Sequence, residues 1–243
     1  MIVIPAIDLR EGRCVRLHQG RSDRETVFSE DPVAVARGWK DLGAERLHVV
    51  DLDGAFAGEP KQSALVARIV AAVAPVPVEV GGGLRDMRAV DAALATGVAW
   101  AVVGTRAALD HAFLSDVSRR HPGRIIVAVD ARGARVAIKG WTEVVQETVA
   151  EVGARARAAG AAALLYTDVS RDGTETGPNV EETENLARRV AMPILASGGV
   201  GRVDDLKRVA AIPGVVGAVV GRALYTGAID LREAAAAAGV GAR

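Results

Sequence analysis

The chain has a single cysteine, Cys14, and only four histidines, scattered at positions 18, 48, 111 and 121. That excludes an internal disulfide and leaves no ligand spacing for a structural metal. Aromatic residues are few, with three Trp, two Tyr and three Phe, so Ala, Val, Leu and Ile must fill any core. Charge of one sign is also missing: thirty basic and thirty acidic residues cancel, which argues against nucleic-acid or anionic-membrane binding and requires any anion to be held locally. No apolar run approaches the ~18 residues of a membrane span. The start, Met-Ile-Val-Ile-Pro, carries no basic leader, and no Pro/Ser-rich linker divides the chain. The expectation is a cytoplasmic protein with no membrane, nucleic-acid or obligate protein partner and no structural metal.

Half of the 243 residues are hydrophobic, and eight short β-rich runs stand out, at 2–7, 47–50, 76–80, 99–103, 125–129, 162–166, 193–196 and 217–220. Most are apolar throughout, as in strands buried on both faces. Helix-period segments lie between them. One covers 31–42, with Asp31 as N-cap, Pro32 at the first helical position and Gly43 as the stop; others cover 86–95, closed by Gly97, and 147–159, closed by Gly160. Strand and helix alternating eight times predict an α/β fold, and a typical length of about 250 residues fits a single (β/α)8 TIM barrel over 1–243.

The chain also repeats itself. Val78-Glu-Val-Gly-Gly-Gly-Leu84 and Ala101-Val-Val-Gly-Thr-Arg-Ala107 return as Ile194-Leu-Ala-Ser-Gly-Gly-Val200 and Ala218-Val-Val-Gly-Arg-Ala-Leu224. Pro5-Ala-Ile-Asp8 is matched by Val127-Ala-Val-Asp130, and Val49-Val-Asp-Leu52 by Tyr166-Thr-Asp-Val169. The offset is about 117 residues, and about 122 for the first pair, so order and spacing both recur. Two related (β/α)4 halves follow, 1–122 and 123–243, and a four-unit repeat favours closure into a ring. Each match lies where an apolar run ends and a turn begins, which in a parallel barrel is the functional face.

Side chains alternate along a strand, so Ile4, Ala6 and Asp8 share one face, as do Ile126, Ala128 and Asp130. Strands one and five stand opposite in a ring of eight, which sets Asp8 and Asp130 facing across the mouth as an acid–base pair. An aspartate after a strand also commonly caps a loop, and for Asp51 and Asp168 capping and function remain open. Asp172 and Gly173 sit in the turn-prone Ser170-Arg-Asp-Gly-Thr174, and Thr167 ends its strand with a hydroxyl. Glycines form two phosphate cradles: Gly82 and Gly83 with Gly104 and Thr105, then Ser197, Gly198 and Gly199 with Gly221 and Arg222. A ligand filling both carries a phosphate at each end. Arg16, in a long loop over 10–29 read as a lid, is placed to meet it.

With Pro-Ala-Ile-Asp-Leu-Arg-Glu-Gly-Arg-Cys-Val-Arg-Leu-His-Gln-Gly at 5–20, Lys-Gly-Trp-Thr-Glu at 139–143, Thr-Asp-Val-Ser-Arg-Asp-Gly-Thr at 167–174 and both Gly-Gly turns, the chain resembles the phosphoribosylformimino-aminoimidazole-carboxamide-ribotide isomerases of histidine biosynthesis. That resemblance implies a cofactor-free barrel performing an Amadori rearrangement of a bisphosphorylated aminoaldose to an aminoketose. It implies Asp8 as general base at C2′, Asp130 or Asp172 as the acid at the ring oxygen, Thr167 as an assisting group, and Arg16 and Trp141 as substrate contacts. The cyclase barrel of the same pathway is less similar: its first strand carries a basic residue, absent from Met1-Ile-Val-Ile-Pro-Ala, and Ile-Asp-Leu stands here where it has Cys-Leu-Asp. A non-catalytic barrel that binds a phosphorylated metabolite is the reading from another class.

A dual-substrate isomerase, also acting on phosphoribosylanthranilate, is the remaining alternative. Its relatives carry an arginine where this chain has Lys139. A guanidinium fork grips a planar carboxylate bidentately, and a lysine is a flexible point charge. The expected outcome is a kcat/KM for phosphoribosylanthranilate lower than that for the aminoimidazole ribotide by a factor on the order of 10²; comparable values on one preparation would make the enzyme bifunctional.

Overall fold

The computed structural model describes residues 1–18, 21–138, 141 and 143–239, with the side chains of 18, 21–24 and 105 outside the description. Lys139 therefore lies outside the described residues, as does the Thr105 side chain. The described residues form twelve strands: β1 (Ile2–Arg10), β2 (Arg13–His18), β3 (Arg21–Ser29), β4 (Leu47–Asp51), β5 (Val78–Gly81), β6 (Trp100–Val103), β7 (Ile125–Arg132), β8 (Arg135–Ile138), β9 (Glu143–Thr148), β10 (Ala163–Asp168), β11 (Ile194–Ser197) and β12 (Val215–Val220). The eight apolar runs become β1, β4, β5, β6, β7, β10, β11 and β12. These pair in parallel, in that order, and the β12–β1 and β7–β10 ladders complete a closed barrel with helices between the strands.

Alternation divides each strand between two cores. One set of side chains, including Val3, Ile7, Leu9, Val127 and Val129, packs outward against the helices. The other, Ile4, Ala6, Val102, Ile126, Ala163, Leu165, Leu195 and Val219, fills the lumen. Burial on both faces is why these runs read as continuously apolar.

Helix ends follow the sequence signals closely. Asp31 accepts from the backbone N–H of Val33 and Ala34 at 3.0 and 3.1 Å, the helix runs Pro32–Asp41, and Gly43 adopts φ 94°. The helix Met87–Ala95 is capped by Asp86 and followed by Gly97 at φ 92°. The segment expected as helix over 147–159 differs: Glu143–Thr148 is strand β9, and the helix is Val149–Ala158. A reciprocal capping box between Thr148 and Glu151 fixes that start.

The expected loop over 10–29 is an antiparallel hairpin. After the Glu11–Gly12 turn, with both residues at positive φ, β2 folds back on β1, pairing Asp8 with Val15 and Leu9 with Cys14, and β3 pairs with β2. The second half does the same. There β7 turns through Gly133, and β8 and β9 add to it in turn. Each half thus begins with an extended strand carrying its own two-stranded flap. Among the described residues, no helix is long and apolar enough to cross a membrane.

Two helical glycines separate propensity from packing. Alanine normally stabilises a helix interior by ~0.5–1 kcal/mol relative to glycine. A Cβ at Gly38 meets open space, whereas one at Gly153 stands 2.5 Å from Val190 Cγ1 and 3.2 Å from Leu164 Cδ2. Overpacking costs ~1–3 kcal/mol and outweighs the gain. Calorimetry should show Gly38→Ala raising Tm and Gly153→Ala lowering it.

Candidate active site

Because Asp8 continues the lumenal series Ile4, Ala6 of β1 and Asp130 the series Ile126, Ala128 of β7, both carboxylates emerge above the apolar lumen at the C-terminal ends of opposed strands. The β2 flap returns Arg16 over the mouth. Its guanidinium donates to Asp8 Oδ2 at 3.0 Å and to Asp172 Oδ1 at 2.7 Å, tying the two carboxylates together. On the other side, the Trp141 indole donates to Asp130 Oδ2 at 2.8 Å, and Thr167, the ladder partner of Asp130 on β10, stands beside it.

Burial pushes the Asp8 carboxyl above the ordinary carboxylate range, the Arg16 guanidinium opposing it and the Asp172 charge adding to it. The Asp130 carboxyl is also pushed up by burial, with the Trp141 and Thr167 hydrogen bonds opposing and Asp172 adding. Two carboxylates with a raised tendency to hold a proton thus share a mouth with an arginine-paired third. That is the equipment of acid–base chemistry at carbon and oxygen.

The glycine turns occupy the same end of the barrel. Gly82 and Gly83 follow β5 and Gly104 follows β6; Ser197 ends β11 with Gly198 and Gly199 after it, and Gly221 follows β12. The halves match in backbone detail: Gly82 and Gly198 adopt φ 112° and 97°, and Gly83 and Gly199 adopt 74° and 85°. Gly104 and Gly221 cap their short helices at φ, ψ of −103°, −124° and −104°, −99°, and neither supplies a side-chain cap. First-turn N–H groups are then open to an anion. Arg16, Gly173 and Arg222 line one cavity of about 140 Å³ beside the second turn, where Arg222 Nε also donates to Glu175 Oε1 at 3.0 Å.

The paired glycines serve packing as well. A Cβ on Gly82 would stand 2.1 Å from the Asp51 carbonyl oxygen and one on Gly198 2.8 Å from that of Asp168. Those two aspartates are committed locally. Asp51 accepts from the backbone N–H of Gly54, Lys61 and Gln62, and Asp168 from Ser170 N–H, Ser170 Oγ and Asn179 Nδ2. Both cap the loops against which the glycine turns press.

The model of a family described as histidine biosynthesis protein matches residues 2–230. The chain belongs to that family. Its relatives include proteins of Hahella chejuensis, 47% identical over 96% of this chain and 97% of their own, and of Thioalkalivibrio sulfidiphilus, 50% identical over 96% and 98%. A third, from Geobacter sulfurreducens, is 48% identical over 97% of both chains. All three are named 1-(5-phosphoribosyl)-5-((5-phosphoribosylamino)methylideneamino) imidazole-4-carboxamide isomerase.

Two groups of this family member escaped the sequence reading. Tyr225, just past the second cradle, donates to the Ala6 carbonyl at 3.0 Å, lies 3.1 Å from Cys14 Sγ, stacks on Phe28 at 4.6 Å and meets the edge of Trp39. It seats the first flap. Inside the lumen, Glu79 is fully buried between His48 and Arg46. His48 and Glu79 could have been found from strand parity, since each interrupts an otherwise apolar run.

A raised carboxyl also has a stability signature. The folded state holds the Asp130 proton more tightly than the unfolded chain, so that contribution is complete below the unfolded value, about 3.9, and is lost as pH rises through the folded one. Asp130→Asn removes the cost of burying a charge. Its Tm should exceed that of the parent at pH 8, and the difference should vanish near pH 4; a lower Tm at pH 8 would contradict the burial argument.

Proposed function

We propose that this chain converts the bisphosphorylated aminoaldose ribotide of histidine biosynthesis into its aminoketose, the activity for which its relatives are named. The observation that carries the reading is the pairing of Asp8 and Asp130 at opposed strand ends between two equivalent glycine turns. Each turn takes one phosphate through backbone N–H groups, Gly82, Gly83, Gly104 and Thr105 at one end, Ser197, Gly198, Gly199, Gly221 and Arg222 at the other. The reactive sugar is stretched over the mouth. Trp141 and Gly173 contact it, and Arg16 exchanges carboxylates for substrate.

The chemistry needs a proton delivered and a proton removed. Asp130, already biased toward its protonated form by burial, gives its proton to the ring oxygen as the C1′–oxygen bond breaks and the nitrogen lone pair forms the C1′ iminium. Asp8 then takes the C2′ proton, and the freed electrons form the enolamine, which tautomerises to the ketone. Asp172 is engaged by the Arg16 guanidinium at 2.7 Å and so stands second as donor. The iminium acidifies C2′, so the steps proceed with side chains alone. The same reading makes this a cytoplasmic enzyme working without cofactor or obligate protein partner.

Incubation with the purified aminoaldose ribotide tests the proposal, read by absorbance and product mass; absence of turnover would leave a binding protein. Positioned acid–base groups contribute ~10²–10⁴ in rate. Asp8→Asn and Asp130→Asn should each lower kcat by that factor, and Asp172→Asn by less. The reverse order of Asp130 and Asp172 would transfer the acid role to Asp172.

A further inference from the structure

One layer below the carboxylates the lumen is not apolar. Ladder pairing sets Ala6, His48, Glu79 and Trp100 side by side on β1, β4, β5 and β6. Their parity points all four inward, since the intervening Ile7, Leu47, Val49, Val78, Val80 and Ala101 belong to the outer core. Glu79 has no solvent exposure and His48 is buried. Glu79 Oε1 lies 2.7 Å from His48 Nδ1, and its other oxygen accepts from Arg46 at 3.3 Å. Arg46 in turn rests on the Trp100 ring at 3.8 Å. A lone buried carboxylate is costly, and paired groups in apolar barrels are retained at a cost in stability. The His48 Nε2 atom makes no hydrogen bond among the described residues, although Nδ1 is held.

We propose that the Glu79–His48 pair is the charged floor of the active site, a positioning unit that keeps an imidazolium beneath Asp8 and Asp130 and so sets the protonation states in which the two carboxylates meet substrate. This rests on the isomerase reading. Among the described residues, the charged groups around His48 are Glu79 on β5, which Arg46 just before β4 also holds, and Asp8 on β1 and Asp130 on β7, with Arg16 on β2 bridging Asp8 to Asp172 after β10. With Asp130 carrying the donor proton, the anions Asp8, Asp172 and Glu79 are balanced by Arg16, Arg46 and a cationic His48. A carboxylate within hydrogen-bond reach of Nδ1 favours that cation and fixes the ring's orientation. His48 is among the charges that oppose the upward push on both Asp8 and Asp130, so the pair acts on the site through the ring.

Two measurements test this. The protein has four histidines, so ¹⁵N-histidine NMR of the ligand-free chain, assigned by loss of one signal in His48→Gln, reads the ring directly. The expected result is an imidazolium at pH 7.5; a neutral ring overturns the inference, and this arm needs no turnover. The second is the pH profile of kcat/KM. His48→Gln/Glu79→Gln keeps a neutral hydrogen-bonded pair and leaves Arg46 resting on the Trp100 ring. Loss of the cation makes both carboxylates ionise at higher pH, so both limbs should move up together by about 0.5 unit or more. A folded double variant with lowered activity but unmoved limbs would reduce the pair to core packing. Absence of turnover by the parent would instead refute the isomerase reading, with the ring measurement unaffected.

Discussion

Closure of the barrel governs everything placed on it. Once β7 pairs with β10 and β12 with β1, period-two alternation stops being a local preference and becomes a sorting rule for the whole chain: every second side chain is inside a common lumen, at a height set by register. Ile4, Ala6 and Asp8 are one column and Ile126, Ala128 and Asp130 another. A slip of one residue in either ladder would send a carboxylate out among the helices and a branched aliphatic into the mouth.

Electrostatics above the apolar layer depend on that sorting. The lumen supplies desolvation, which pushes the Asp8 and Asp130 carboxyls upward, and the flaps supply the counterweights, Arg16 from β2 and Trp141 from the turn after β8. Barrel and flap therefore work against one another at each aspartate. The same arrangement in the two halves gives different partners, a guanidinium on one side and an indole on the other, which is how a duplicated scaffold can hold two carboxylates for two tasks.

The barrel strands were legible because burial on both faces writes them as apolar runs, and the helix limits at Asp31, Gly43 and Asp86 because caps are local chemistry. The flaps were not. Arg-Ser-Asp-Arg-Glu-Thr-Val-Phe-Ser in β3 and Glu-Val-Val-Gln-Glu-Thr in β9 are largely polar, and their strand form comes from pairing with β2 and β8 rather than from periodicity. The same limit explains why Thr148 read as helix interior. For the site, the repeat led to Asp8, Asp130 and the glycine turns, but it could not show Arg16 bridging Asp8 to Asp172, a contact between residues 156 positions apart. Nor did it separate Asp51 and Asp168 from the mouth; only their backbone partners do. His48 and Glu79 were overlooked because charge was sought at strand ends, not within strands.

Gly221 joins two things that the sequence presents as separate. A Cβ there would stand 2.8 Å from the Arg16 guanidinium nitrogen that grips Asp8, while at the equivalent Gly104 it would meet nothing within 4 Å among the described residues. The second cradle and the carboxylate bridge therefore share a wall one hydrogen atom thick. Variation at this turn cannot retune anion affinity alone, and the first cradle is the one left free to diverge.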